Sequence, residues 1–200
     1  MRILRRTLLS VVASAPLLPH FAWAADARLG PRTFGSPDAK VQVTEFFSLT
    51  CTHCAAFSRE TMPQVTKELI EPGKLQMIYR DFPLDRLALA AAMVARALPA
   101  DRYEPFVAAL FASQDRWAFN RQAMPIDELQ KMAMLAGLSR ETFDATVNDE
   151  AFAKEILADQ QASEKEFGIN STPTFVCNGK VRAGEMNFEA FSKFIAETAG

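Results

Sequence analysis

The 200-residue chain has little of what several protein classes require. It holds three cysteines, two histidines, two tryptophans, two tyrosines and eight glycines. Three cysteines are too few for a scaffold stapled by disulfides, so a hydrophobic core must hold the fold together. One histidine, His20, lies near the start. That leaves His53 with the cysteines, an unpromising set for zinc, which takes four N, S or O ligands. There is no long run of lysine and arginine, which argues against nucleic acid as a partner, since neutralising phosphates takes clustered cations. The apolar stretch from Leu8 to Leu18 is too short to span a bilayer. No internal repeat, low-complexity tract or flexible linker interrupts the sequence.

What is present begins with an export signal. Arg2, Arg5 and Arg6 form a basic start, the short apolar stretch follows, and Ala22-Trp23-Ala24 supplies a small-x-small cleavage site. Residues 1–24 are therefore expected to be a signal peptide, cleaved after Ala24, so that the mature chain is exported. Arg5-Arg6-Thr7-Leu8-Leu9 loosely resembles a twin-arginine signal, but two arginines also suffice for an ordinary basic start, and the Sec route is expected. Loss of three arginines and no acids leaves 19 basic against 24 acidic residues, a net charge of −5. Export also places the cysteines in an oxidising compartment where disulfides persist.

Along the mature chain the hydrophobic period changes twice. Residues 25–40 are polar and rich in proline and glycine. Val41 to Phe47 reads as a strand, and a helix follows from Thr52 or His53 to Ile70, interrupted and kinked at Pro63. Glu71-Pro72-Gly73 stops it, and Leu75 to Arg80 reads as a second strand, completing a βαβ unit. From Leu84 to Phe167 the pattern is helical, with segments at Leu84–Leu98, Ile126–Leu138 and Glu150–Phe167, and with Ser139 as a helix N-cap. Thr174 to Cys177 and Lys180 to Ala183 form a hairpin about Asn178-Gly179, and Asn187 caps a last helix through Glu197. The order βαβ, helices, ββα predicts an α/β thioredoxin fold. Its core comprises residues 25–83 and 168–200, and a helical domain is inserted at 84–167.

Cys51-Thr52-His53-Cys54 stands at the corner between the first strand and its helix. Two cysteines separated by two residues there read as a redox dithiol. Cys51 lies at the helix start, where unpaired backbone N–H groups and the helix dipole favour a thiolate, and a protonated His53 would add positive charge. Cys54, in the first turn, is placed to resolve a mixed disulfide. The first sulfur is expected to be exposed. A purely structural Cys51–Cys54 disulfide would close a tiny loop and stabilise little. On alternating strand faces Glu45 shares a side with Val41, Val43 and Phe47, so a buried carboxylate able to hold or relay a proton for Cys54 is expected; the alternative is a strand-end carboxylate reaching water. Pro173, far downstream, is expected to be cis beside the dithiol, with the Thr172 backbone facing Cys51 and able to pair with an extended substrate chain. Cys177 reads as a small buried hydrophobe, and Trp117 and Phe119 as core.

Glu45-Phe46-Phe47-Ser48 with the dithiol, Arg80-Asp81-Phe82-Pro83-Leu84, and Gly168 through Lys180 resemble segments of the DsbA family of exported thiol–disulfide oxidoreductases. The likeness extends over essentially the whole mature chain. It implies Cys51 as nucleophile, Cys54 as resolving thiol, Glu45 as buried proton acceptor and Thr172-Pro173 as the cis-proline loop. It implies client proteins with free thiols, a membrane reoxidation partner of the DsbB type, and no metal or organic cofactor. Thr52 stands where the best-known oxidases carry proline, and Thr172 where they carry valine. Threonine before the cis-proline also occurs in isomerases and thioredoxins, so an isomerase or reductase remains an alternative. A dimeric isomerase of this fold carries an N-terminal dimerisation domain, for which residues 25–40 are too short, so a monomer is expected. An alternative from another class is a copper-binding protein using Cys51, Cys54 and a methionine, since soft sulfur ligands suit Cu(I).

Overall fold

Alternating and β-branched residues from Val41 to Phe47 build the central strand of a five-stranded sheet. The computed structural model describes residues 26–198; the signal peptide expected at 1–24 lies outside them. Strands β1 (Arg32–Phe34), β2 (Val41–Phe47), β3 (Leu75–Asp81), β4 (Thr174–Cys177) and β5 (Lys180–Ala183) are arranged in the order β1-β3-β2-β4-β5. The β2–β3 pair is parallel, and the other neighbouring pairs are antiparallel. Strand β1 corrects the reading of 25–40 as merely polar. Its three residues, bounded by Pro31 and Gly35, are too few to show a period. Gly35 has φ +107°, and a Cβ there would lie 2.7 Å from the Leu75 carbonyl oxygen, so only glycine lets the chain pass this close to β3.

Helix α1 runs continuously over 52–70 and returns the chain from β2 to β3. Its α-helical parts, Thr52–Ala56 and Met62–Val65, alternate with π-helical turns at Phe57–Thr61 and Thr66–Ile70. Pro63 does not end the helix. It lacks the N–H for the carbonyl four residues back and its ring crowds that oxygen, and the turn before it is widened.

Only helices stand between β3 and β4: α2 (Arg86–Ala97), α3 (Ala100–Ala112), α4 (Gln114–Trp117), α5 (Pro125–Leu135), α6 (Arg140–Val147) and α7 (Glu150–Phe167). Helix α2 starts two residues later than expected because Asp85 caps it, accepting from the Ala88 N–H at 2.7 Å, and Leu84 is left exposed. Helix α7 ends at Gly168 in the left-handed conformation, φ 67°. Helix α8 (Phe188–Thr198) begins at Asn187, whose Oδ1 accepts from the Ala190 N–H.

Helices bury both faces of the sheet. On one, Phe47 meets Tyr79 and Phe111 edge-on, and Phe57, Phe175 and Phe191 lock α1, β4 and α8 together. On the other, Phe46, Phe82, Ile169 and Val176 cluster with Phe167. Trp117 is fully buried, but Phe119 is 51% exposed, which corrects its assignment to the core: it lies just past the end of α4, in a loop. Cys177 is buried, with Thr198 Oγ1 3.0 Å from its sulfur.

Candidate active site

Strand β2 delivers the chain to a corner, and α1 carries it away. Cys51 occupies the residue before the helix in extended conformation (φ −80°, ψ 119°), and its sulfur accepts from the Cys54 backbone N–H at 3.3 Å. Such first-turn N–H groups have no carbonyl partner within the helix, and they mark the positive end of its dipole. The Cys51 thiol is brought down from an ordinary 9.0 to about 5. Hydrogen bonding with the Cys54 side chain is the largest cause. Burial opposes the shift, while the Thr172 side chain and the backbone N–H groups of Cys54 and His53 support it.

Cys51 and Cys54 are both present as free thiols. Cys51 is only 7% exposed, correcting the expectation of an open sulfur. The Thr172 loop closes over it: the Thr172 carbonyl oxygen accepts from the Cys51 thiol at 3.3 Å. That bond taken alone favours the protonated form. The Thr172 hydroxyl, buried and without a hydrogen-bond partner, is the donor that can turn to the sulfur once the proton has left. Pro173 follows Thr172 through a cis peptide bond, and β4 begins at the next residue.

Cys54 is wholly buried, and its ionisation is strongly disfavoured. Burial dominates, followed by the bond to the Cys51 sulfur and the charge of Glu45. Glu45 sits on β2 between Tyr79 of β3 and Phe175 of β4 and is 3% exposed. Burial, then the charge of Cys51, pushes its carboxyl up to about 8. A cavity of about 190 Å³ reaches Glu45, with Tyr79, Glu104, Ser58 and Thr66 also in its wall. His53 is exposed, with Nδ1 3.1 Å from Glu185 Oε2.

The structure thus brings Cys51, Cys54, Glu45, Thr172 and Pro173 together, with His53 on the outer side. Sequence reasoning missed Glu185, which only the fold brings beside His53. It also missed Gln114, a buried side chain whose Nε2 donates to the carbonyl oxygens of Leu49 and Cys51. Neither lies in a motif or at a telling spacing. Among the described residues, no group of three or more His, Cys, Asp or Glu side chains is arranged to hold a metal ion.

This arrangement can be set beside known proteins. Residues 28–197 match the family model described as thioredoxin. The chain is 30% identical over 165 residues to the thiol:disulfide interchange protein DsbA of Haemophilus influenzae, covering 78% of this chain and 76% of that protein. It is 26% identical over 159 residues to a Rickettsia conorii protein provisionally named a protein-disulfide oxidoreductase, covering 79% of this chain and 56% of that one. The chain thus spans little more than half the length of its Rickettsia relatives. The crystal structure of alpha-DsbA1 from Wolbachia pipientis superposes with a TM-score of 0.77 at 29% identity, over 86% of this chain and 92% of that one.

Proposed function

The chain belongs to the thioredoxin family as a DsbA-like protein, and on that premise we propose that it is an exported thiol–disulfide oxidoreductase that introduces disulfide bonds into secreted proteins. Its working form is the Cys51–Cys54 disulfide. A client thiolate attacks the Cys51 sulfur, a client–Cys51 bond forms, and the electron pair of the broken bond leaves on Cys54. Glu45 gives that sulfur its proton. A second client thiolate then attacks the client sulfur, the client gains its disulfide, and Cys51 departs as thiolate. The client loses two electrons, and the protein holds them as a reduced dithiol until a membrane partner of the DsbB type removes them.

One observation carries this reading: the two sulfurs differ sharply. Cys51, at about 5, is a stable leaving group at neutral pH, whereas Cys54 is sealed away and stays protonated. A stabilised thiolate favours the reduced dithiol and so makes the disulfide the stronger oxidant. His53 borders the nucleophile, and the backbone of Thr172, on the loop over Cys51, is the proposed pairing partner of an extended client segment. The periplasm, reached by the Sec route through residues 1–24, is the proposed location, and the monomer the working unit.

The Thr172 hydroxyl beside Cys51 supports the rival reading of an isomerase or reductase. Titrating the Cys51–Cys54 couple against glutathione separates the two. A potential near the roughly −270 mV of thioredoxin excludes the oxidase. Alkylation trapping with Cys54→Ala tests the wider class. Mixed disulfides between Cys51 and exported proteins are expected, and their complete absence would leave a copper-binding role standing instead.

A further inference from the structure

Three consecutive residues before the helix, Leu49, Thr50 and Cys51, are each held by a side chain from the helical insertion. Gln114, the first residue of α4, is 4% exposed. Its Nε2 donates to the Leu49 carbonyl oxygen at 2.9 Å and to the Cys51 carbonyl oxygen at 3.0 Å, so both amide protons are used. Between those two anchors, Thr50 Oγ1 donates to Asp85 Oδ2 at 2.7 Å. Asp85 is itself fixed as the cap of α2 through its other oxygen. Trp117, buried one turn after Gln114, donates to the Leu110 carbonyl oxygen and pins α4 to α3.

We infer that Gln114, assisted by the Thr50–Asp85 bond, is a positioning residue for the nucleophile: the helical insertion sets the geometry in which Cys51 holds its thiolate. The route is short. The Cys51 carbonyl oxygen takes two donors, the Ala55 N–H at 3.1 Å and Gln114 Nε2. Together they fix the peptide plane joining Cys51 to Thr52. That plane orients the sulfur toward the Cys54 N–H and sets its distance from the Thr172 loop. Without Gln114 the Ala55 bond alone remains, and residues 49–51 lose their tie to α4. The sulfur then moves relative to the N–H groups at the helix start, whose effect falls away within one turn. Gln114 touches no reacting atom, and its influence passes wholly through the backbone of Cys51.

This inference rests on the proposed redox role of Cys51, but its test reads the thiolate directly. Reduced wild type, Gln114→Met (similar in size, without donors) and Thr50→Val are titrated by thiolate absorbance at 240 nm, with Tm measured alongside. Gln114→Met is expected to show a thiolate-to-thiol ratio at Cys51 at least about threefold lower at pH 5, an upward shift of half a pH unit. Thr50→Val is expected to shift the same way by a smaller amount. If Gln114→Met does not fold, Thr50→Val, altered at a partly exposed side chain, decides. Unchanged thiolate titration in every folded variant, even with a lowered Tm, overturns the inference and leaves Gln114 a purely structural residue. An ordinary thiol titration in wild type, together with no exchange with glutathione, overturns the proposed function instead.

Discussion

Breaking the Cys51–Cys54 disulfide should change the stability of the fold by an amount that depends steeply on pH. In the reduced protein Cys51 ionises near 5, whereas its ordinary value is 9.0. A depressed folded-state pKa contributes stability that is complete above the unfolded value and is lost as pH falls through the folded one. The window is therefore pH 5 to 9. At pH 7, two of the four units have been gained, which amounts to about 2.7 kcal/mol, rising toward about 5 kcal/mol above pH 9. The oxidised form has no ionisable Cys51, so the term is absent there. Burial of Glu45 disfavours its charge in both forms and largely cancels in the comparison; only the part due to the Cys51 charge remains, and it trims the slope. The same 2.7 kcal/mol corresponds to about 60 mV of added oxidising power at neutral pH. Urea unfolding of reduced and oxidised protein at pH 5, 6, 7 and 8 measures the gap. It should change in favour of the reduced form by close to 1.4 kcal/mol per pH unit above pH 6. A gap that stays flat across that range refutes the reasoning, because it means that the reduced fold does not stabilise the thiolate.

Two further outcomes follow from buried charge. Glu45→Gln should stabilise the reduced protein by up to about 3 kcal/mol at pH 7 and by almost nothing at pH 4, because a carboxyl raised from 4.5 to about 8 costs stability only as pH climbs through that interval; urea unfolding at both values tests it. The same variant should slow formation of the client–Cys51 mixed disulfide in stopped-flow exchange, since Cys54 then lacks its proton donor as it leaves. Arg96→Met should lower stability by about 3–5 kcal/mol, read from the urea midpoint, because Asp81, buried and bonded to Arg96 and Tyr103, loses its counter-charge.

The parts of this molecule legible from sequence are those that local chemistry dictates. The alternation in Val41–Phe47 marks β2, the Asn178-Gly179 pair marks the last hairpin, and Gly168 marks the end of α7, each through a backbone preference. The dithiol was legible because its spacing and its position at a strand–helix corner are both local. Strand β1 was not, since three residues cannot show a period and its pairing with β3 spans more than forty residues. Phe119 shows the limit of composition: its apolar ring predicts the core, yet its place beyond α4 leaves it in solvent. Gln114 and Glu185 were invisible for a further reason. Each matters only through a contact with a residue more than sixty positions away, and polar side chains in loops or short helices leave no pattern.

The charge on Cys51 also governs how readily Glu45 exchanges its proton. Two causes raise Glu45, burial first and the Cys51 thiolate second, and only the second depends on redox state. When Cys51 is bonded to another sulfur, whether Cys54 or a client, it carries no charge, and that contribution disappears. Glu45 should then ionise at lower pH than in the reduced protein, though still above an ordinary carboxyl because burial persists. In the proposed exchange the proton must pass either way in this state: to Cys54 as it leaves its disulfide, and from Cys54 when it attacks a mixed disulfide. A carboxyl far above neutral pH serves only the first direction, and one far below serves only the second. The fall from about 8 on capping Cys51 brings the group toward pH 7, where both proceed. Carbon-13 titration of the Glu45 carboxyl, in reduced protein and in protein alkylated at Cys51, tests the link. The alkylated form should titrate lower. An equal or higher value would mean that the thiolate does not reach Glu45 electrostatically, and that the two groups ionise independently.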